Sequence, residues 1–385
     1  MMRIGIEAQR LFRPHKHGMD RVALELIKNL QTIDKDNDYF IFVKPDQDKS
    51  AISNTSNFTI VEISGGPYPL WEQYKLPKFA KAYNCDILHC TSNTAPLLAN
   101  ISLVTTLHDI IYMEESLIKL FKSSASLYQK FGNLYRRIIV NGVVKKSKRL
   151  ITVSNYEKEN ITSFFKLRNK NIQSIYNGVS QQFTAKIDST HLANVKARYE
   201  LPEHYLLHIA NKDPRKNTKR VLMAFKDFLN KTNADYKLVM LGCKDTDLKT
   251  ILGEKVDSSL FKHLILPSYV SDGDLPVFYS QAELFLFPSL REGFGIPIIE
   301  AMACGVPVIT SNTSSMSEVA GEAAHLIDPY KTEEISNGII KIISNANYRN
   351  ELIQKGLKHY KQYSWLTMAK QVLETYKQLY QEEKN

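Results

Sequence analysis

The segment that most constrains this chain runs from Leu284 to Ile309. It opens with an apolar run, Leu284 to Phe287, that stops at Pro288. A loop follows with two glycines around an aromatic, Gly293-Phe294-Gly295, and then Pro297, Ile298 to Cys304, and Gly305. Proline suits the first helical turn, where its missing N–H costs nothing, and glycine suits the position just past a helix end. Val306-Pro307-Val308-Ile309 then reads as the next buried strand. The order strand, glycine loop, helix, strand is that of an α/β protein built on a parallel sheet.

Such a loop makes an anion site. The first N–H groups of a helix lack internal partners, and the helix dipole places partial positive charge there. Glycines let a phosphate come close to the backbone. Yet two carboxylates flank the site, Glu292 in the loop and Glu300 one turn into the helix. Beside a phosphate they would repel it, so they face neutral, hydroxyl-bearing groups such as a sugar and a ribose. A nucleotide sugar carries both, at the two ends of one diphosphate. The plainer reading of a bare pair of this spacing is ordinary surface or helix N-terminal charge.

At 385 residues the chain has room for two domains. Its hydrophobic content is that of a soluble globular protein, and it holds no apolar run of about twenty residues that would span a membrane. Met1 to Glu7 reads as a first strand and not as a signal peptide, because the apolar stretch is short and carries a glutamate. The four cysteines, Cys85, Cys90, Cys243 and Cys304, lack the density of a disulfide framework and the spacing of a metal site. They read as reduced core residues of a cytoplasmic protein.

The net charge of +10 points to a polyanionic partner, nucleic acid or an acidic membrane face. Its placement favours the membrane. From Ser116 to Leu150 there is no Asp or Glu, while Lys119, Lys122, Lys130, Arg136, Arg137, Lys145, Lys146, Lys148 and Arg149 alternate with Leu117, Ile118, Leu120, Phe121, Leu127, Tyr128, Phe131 and Tyr135. That is an amphipathic helical pattern with a basic face, suited to the anionic inner surface of a membrane. A solvated face with ordinary core packing is the bland alternative. No nucleic-acid recognition motif accompanies the charge.

Strand-like runs recur along both halves. Arg3–Ala8, Tyr39–Val43, Phe58–Ile63, Asp86–Cys90, Leu103–Leu107, Arg149–Ser154 and Ile172–Tyr176 belong to the first half; His204–Ala210, Tyr236–Leu241, Leu264–Leu266 and Ala323–Ile327 join the organising segment in the second. His15 and His17 sit in the loop before a helix that starts near Gly18, and read as a solvated loop or as acceptor contacts. Tyr68 and Trp71, in an aromatic-rich helix start, face the same choice between packing and acceptor contact. His108-Asp109 ends a strand at the side of the sheet where open α/β folds bind ligands. Asp213-Pro214-Arg215-Lys216-Asn217 follows the first strand of the second half, and its adjacent cations suit a diphosphate. Asp272 and Asp274, spaced as in a metal–nucleotide D-x-D, are expected to cap the helix at Leu275; Asp245 and Asp247 get a similar loop reading.

Glu292 and Glu300, embedded in P-S-x-x-E-G-F-G-x-P-x-x-E-A-M-A-x-G-x-P-V, resemble the E-x7-E signature of retaining glycosyltransferase family 4. The resemblance extends over nearly the whole chain and is sharpest over residues 265–330. It implies two Rossmann-like domains facing a cleft, the GT-B architecture, with a final helix crossing back to the N-terminal domain. On that basis an acceptor domain covers 1–180 with 364–385, and a nucleotide-sugar domain covers 181–363. The resemblance also implies roles. Gly18 lies near the donor diphosphate, His108 next to the transferring sugar with Asp109 as a second contact, and Tyr269-Val270 along the nucleobase. Gly293, Phe294 and Gly295 position sugar and diphosphate, Glu292 holds sugar hydroxyls, and Glu300 holds the ribose. Arg215 and Lys216 stabilise the departing diphosphate, so no metal and no cofactor beyond the GDP- or UDP-linked donor is expected. The glycine that the family often carries shortly before this segment is replaced here by Ala210-Asn211.

The W-E-Q near Trp71 and the P-R-K-N at 214–217 are similar to bacterial mannosyltransferases of polysaccharide assembly. The expected activity is therefore transfer of mannose from GDP-mannose, or of a hexose from a UDP-sugar. The expected acceptor is a lipid-linked saccharide at the inner face of the cytoplasmic membrane. A nucleotide-sugar epimerase of the same architecture is the alternative enzyme; it needs no acceptor. A nucleic-acid-binding protein is the alternative outside enzymes.

Overall fold

Apolar runs without alternation belong to strands covered on both faces, and that is where the computed structural model places them. It describes residues 1–114, 127–167, 171–253, 258–267 and 269–385. The chain divides into two compact units, Met1–Gly178 with Trp365–Asn385, and Val179–Ser364.

In the first unit the strands are β1 (Arg3–Glu7), β2 (Asp38–Val43), β3 (Phe58–Glu62), β4 (Ile87–Cys90), β5 (Ser102–Leu107), β6 (Arg149–Thr152) and β7 (Ile172–Ser174). They form one parallel sheet in the order β3-β2-β1-β4-β5-β6-β7. The strand order reverses beside β1 and β4, which is where a doubly wound sheet opens a crevice at its carboxyl ends. Helix Gly18–Ile33 covers the sheet with Val22, Ala23, Leu26, Ile27 and Leu30 inward. The final helix, Trp365–Lys384, packs against that helix and buries Trp365, Met368, Ala369, Val372, Leu373, Tyr376 and Leu379, the face its periodicity predicts. The C-terminal helix is thus part of the first unit's core although the whole second unit precedes it in sequence.

The second unit repeats the plan with β8 (Tyr205–Ile209), β9 (Lys237–Leu241), β10 (Leu264–Ile265), β11 (Leu284–Phe287), β12 (Val308–Ser311) and β13 (His325–Ile327). Its parallel order is β10-β9-β8-β11-β12-β13, so the reversal lies beside β8 and β11. Leu206, Leu238, Met240, Leu284, Leu286 and Ile309 from the strands meet Val221, Phe225 and Phe228 of the helix Thr218–Thr232 and Ile335 and Ile339 of the helix Thr332–Ser344 in one core.

Candidate active site

In the second unit the organising segment folds as its punctuation indicates. Helix Ile296–Ala303 starts after Gly295, whose φ of +108° belongs to glycine, and carries Pro297 in its first turn. It ends in a Schellman pair: Gly305 N–H bonds Met302 C=O at 3.1 Å and Val306 N–H bonds Ala301 C=O at 3.0 Å. Gly305 sits at φ +75°. The glycine loop therefore lies at the carboxyl end of β11, beside the reversal of strand order.

The loop after β8 comes to the same place. Its Pro214–Lys216 turn is a single 3-10 turn, and Leu290 N–H bonds Arg215 C=O at 2.7 Å, tying the two loops together. Asn217, at φ +58°, is buried and donates its side-chain amide to Pro288 C=O at 2.9 Å and Pro329 C=O at 2.7 Å. The two cations of this turn part company. Lys216 Nζ reaches Glu292 Oε1 at 2.7 Å and lies over the Phe287 ring at 5.2 Å from its centroid. Arg215 pairs with Asp213 at 2.5 Å, the same carboxylate that accepts the Arg215 N–H.

Glu300 is buried, one turn into the helix, and its Oε2 accepts the Tyr279 hydroxyl at 3.1 Å. The Phe294 ring packs edge-on against Tyr363, 5.7 Å between centroids. Ser315 Oγ lies 2.9 Å from both Glu292 C=O and Phe294 C=O. Lys216, Glu292, Gly293, Phe294, Gly295 and Glu300 thus share one end of the sheet. Tyr269 is 57% exposed and Val270 half-buried, on the segment after β10. Below the turn, burial holds the His208 imidazole down to about 4, with its Nδ1 2.9 Å from Leu286 C=O.

The first unit carries the other expected residues. His108 is buried at the end of β5. Its Nε2 lies 2.8 Å from Thr91 C=O, and because a carbonyl only accepts, Nε2 carries the proton and Nδ1 is left as an acceptor. Burial keeps this imidazole below its ordinary value, so it is neutral at pH 7. Its main-chain N–H donates to Asn93 Oδ1 at 2.6 Å. Asp109 Oδ1 accepts the Ile111 N–H at 3.1 Å, a local turn that opens the helix Ile111–Glu114. Gly18 is the first residue of its helix, and a Cβ there would meet nothing. Its own unit's packing does not demand glycine.

Two local readings need correction. The carboxylate of Asp274 does not cap the helix Leu275–Ser280; it is buried against Arg198 Nη1 at 2.9 Å and Tyr199 OH at 3.1 Å. Asp247 is not a loop residue but lies in the first turn of the helix Asp245–Leu252, where it accepts the Lys244 N–H at 3.1 Å and pairs with Lys212 at 2.9 Å. Among the aromatics near the W-E-Q, Trp71 is wholly buried and donates to Ile63 C=O at 2.9 Å, so it packs.

Sequence reasoning also missed two buried acids. Glu7 ends β1 and accepts the Gln9 N–H at 3.0 Å and the Thr91 N–H at 3.3 Å; burial pushes its carboxyl up to about 7. Glu72 is buried among Tyr68 OH at 2.5 Å, Gln73 Nε2 at 2.9 Å, Thr94 Oγ1 and Tyr135 OH, all donating to it. The only trace in sequence is a carboxylate in an apolar strand or beside a tryptophan.

Of the acid-free stretch, residues 116–126, with Leu117, Ile118, Lys119, Leu120, Phe121 and Lys122, lie outside the described residues. The helix Leu127–Lys146 is described; it exposes Phe131 (57%) and Ile138 (64%) at a seven-residue interval, beside Arg136 and Arg137. Among the described residues no helix is long and apolar enough to cross a membrane.

The chain is similar to known proteins in both sequence and fold. The family described as "Glycosyltransferase Family 4" matches residues 17–183, and that described as "Glycosyl transferases group 1" matches residues 194–359. The O-antigen chain mannosyltransferase B of Escherichia coli is 30% identical over 280 residues, 72% of this chain and 70% of that protein. A serotype-specific mannosyltransferase, WbdA, of the same organism is 26% identical over 253 residues, 64% of this chain but only 31% of that longer protein. In three dimensions, Anabaena HepE in complex with UDP-glucose aligns over 98% of this chain and all of that one with a TM-score of 0.75, at 16% identity.

Proposed function

The chain belongs to the glycosyltransferases of family 4 and group 1, and from that membership we propose that it moves mannose from GDP-mannose to a lipid-linked saccharide in the assembly of a bacterial surface polysaccharide. The observation that carries the reading is the grouping of Lys216, Glu292 and buried Glu300 around a glycine loop at a helix N-terminus, where the strand order reverses.

The second unit takes the donor. Transfer breaks the bond from the sugar's anomeric carbon to the diphosphate, and the electron pair leaves on phosphate oxygen. Negative charge grows there as positive charge grows on the sugar ring. Lys216, Arg215 and the start of the helix Ile296–Ala303 supply fixed positive charge for the leaving group, which replaces what a metal ion would do. Glu300 accepts hydrogen bonds from the ribose and Glu292 from the sugar hydroxyls, with Gly293, Phe294 and Gly295 placing the sugar and Tyr269-Val270 along the base. The acceptor hydroxyl attacks from the face the diphosphate leaves and gives its proton to the departing phosphate oxygen, so configuration is retained. Gly18, His108 and Asp109 are assigned to the first unit: Gly18 to the diphosphate, His108 and Asp109 to the transferring sugar. In the tautomer its Thr91 contact selects, His108 Nδ1 accepts a sugar hydroxyl.

The mannose assignment is supported by the two Escherichia coli relatives, each named a mannosyltransferase. Attachment to an anionic membrane from the cytoplasmic side is supported by the net charge of +10 and by Phe131 and Ile138 standing beside Arg136 and Arg137. A thermal-shift panel without metal tests the donor: GDP, UDP, ADP and their sugars. GDP and GDP-mannose are expected to raise the melting midpoint most, because a ligand bound only to the folded state stabilises it. Stabilisation by UDP and not by GDP would replace mannose with a UDP-linked hexose.

A further inference from the structure

The Glu292 C=O accepts from Ser315 Oγ and Arg291 Nη1 as well, but the side chain that meets both its C=O and its N–H comes from a residue twenty-two positions later, Ser314. Its hydroxyl donates to Glu292 C=O at 2.8 Å and accepts the Glu292 N–H at 3.2 Å and Arg291 Nη1 at 3.1 Å. A hydroxyl offers one proton and two lone pairs, and all three are directed at Arg291-Glu292. Both main-chain polar groups of Glu292 are thus held by one side chain.

Ser314 makes these contacts from an unfavourable backbone. Its φ is +58°, in the left-handed region where a residue with a Cβ is strained by about 1 kcal/mol or more. Glycine at this position would relieve the strain but would lose all three contacts. The strained serine stands where its hydroxyl meets the main chain of Glu292, the residue whose carboxylate pairs with Lys216.

We propose that Ser314 is a positioning residue: by clamping the main chain of Glu292 it presents the carboxylate to the transferred sugar in a single geometry. The proposal rests on the reading of Glu292 as the group that holds that sugar. Ser314 itself touches no substrate and acts through Glu292.

The test compares Ser314→Ala, Ser314→Gly, Glu292→Gln and the double variant Ser314→Ala/Glu292→Gln. Nucleoside diphosphate release from GDP-mannose and, in parallel, from UDP-glucose is followed. Ser314→Ala and Ser314→Gly should each lower kcat by about tenfold to a hundredfold, the scale of a displacement of about 1 Å at a reacting centre. The donor KM should move by less than about threefold, because base, ribose and diphosphate contacts are untouched. Ser314→Gly should melt no lower than Ser314→Ala, since both lose the same contacts and only glycine sheds the strain. In the Glu292→Gln background Ser314→Ala should add nothing, as expected for residues acting as a unit.

A readout independent of turnover is amide exchange. Ser314→Ala should speed exchange at Glu292 to Phe294 and leave Val308–Ser311 of β12 unchanged. Normal kcat in Ser314→Ala beside an impaired Glu292→Gln, additive losses in the double variant, or unchanged exchange at Glu292 would each overturn the proposal. Normal turnover in Glu292→Gln would instead remove the reading of Glu292 on which it stands.

Discussion

Lys216 and Arg215 are neighbours in sequence with different surroundings. Lys216 reaches across to Glu292, whereas Arg215 is tied to Asp213 two residues away by its guanidinium and its own N–H. Lys216→Ala is therefore expected to lower turnover by about a hundredfold to a thousandfold, as does loss of one preorganised group facing developing negative charge. Arg215→Ala should cost less, because its guanidinium is turned to a carboxylate of its own loop, whereas Lys216 reaches the glycine loop itself. Steady-state kinetics of the pair checks the order, and near-normal turnover in both would remove them as leaving-group stabilisers. Glu7 gives a pH prediction. Burial raises its carboxyl from 4.5 to about 7. Between those values the folded protein holds a proton that the unfolded chain has released. Its contribution is fully present below about 4.5 and is lost as pH rises through about 7, a swing on the order of 3 kcal/mol. Glu7→Gln should therefore gain stability relative to the parent as pH goes from about 5 to about 8. A melting difference flat with pH would show that Glu7 ionises normally. No sequence pattern announces this, because the shift comes from a position at the end of β1 under the Thr91 loop.

At the scale of elements, local signals were legible where local chemistry decides. Pro297, Gly295 and Gly305 mark the helix Ile296–Ala303, since a missing N–H and two left-handed residues are properties of single positions. Gly305→Ala is expected to cost about 1 kcal/mol or more through its φ of +75°, and a Cβ there would stand 3.2 Å from Ala185 Cβ. Thermal melting checks this; an unchanged midpoint would mean the helix end does not need glycine. Asp274 shows the opposite case. An aspartate before Leu275 reads as a cap, yet its partner Arg198 lies seventy-six residues earlier. The helix Leu127–Lys146 carries the membrane proposal. Replacing Phe131 and Ile138 with serine should reduce flotation with vesicles rich in anionic lipid by about tenfold, at roughly 25 cal/mol for each Å² of apolar surface no longer buried. Equal flotation would leave the helix as a solvated face.

At the scale of the whole molecule, the first unit is made from two separated lengths of chain. Tyr376 OH lies 2.6 Å from His89 Nδ1, and His89 Nε2 lies 2.8 Å from Thr106 Oγ1, so the C-terminal helix is linked through His89 to β5, the strand that leads into His108. A small cavity of about 20 Å³, lined by His89, His108, Asn177, Met368 and Val372 among others, lies at this packing. Truncation after Ser364 is expected to expose Val22, Leu26 and Leu30 and to leave the first unit open to proteolysis. A protease-resistant fragment should then begin near Val179. Survival of an intact first unit in limited digestion would show that the helix is dispensable.

What the sequence by itself determined was the plan: a repeated α/β pattern, the glycine loop, the helix that follows it and the apolar face of the last helix. These are set by backbone preferences and by the period of apolar residues, which are local. Tertiary structure decided the partners. It set Lys216 on Glu292, Ser314 on the Glu292 main chain, Tyr279 on Glu300 and Thr91 on His108. The physical reason is that a hydrogen bond depends on distance and direction in space. A parallel sheet brings together the ends of strands that lie far apart along the chain.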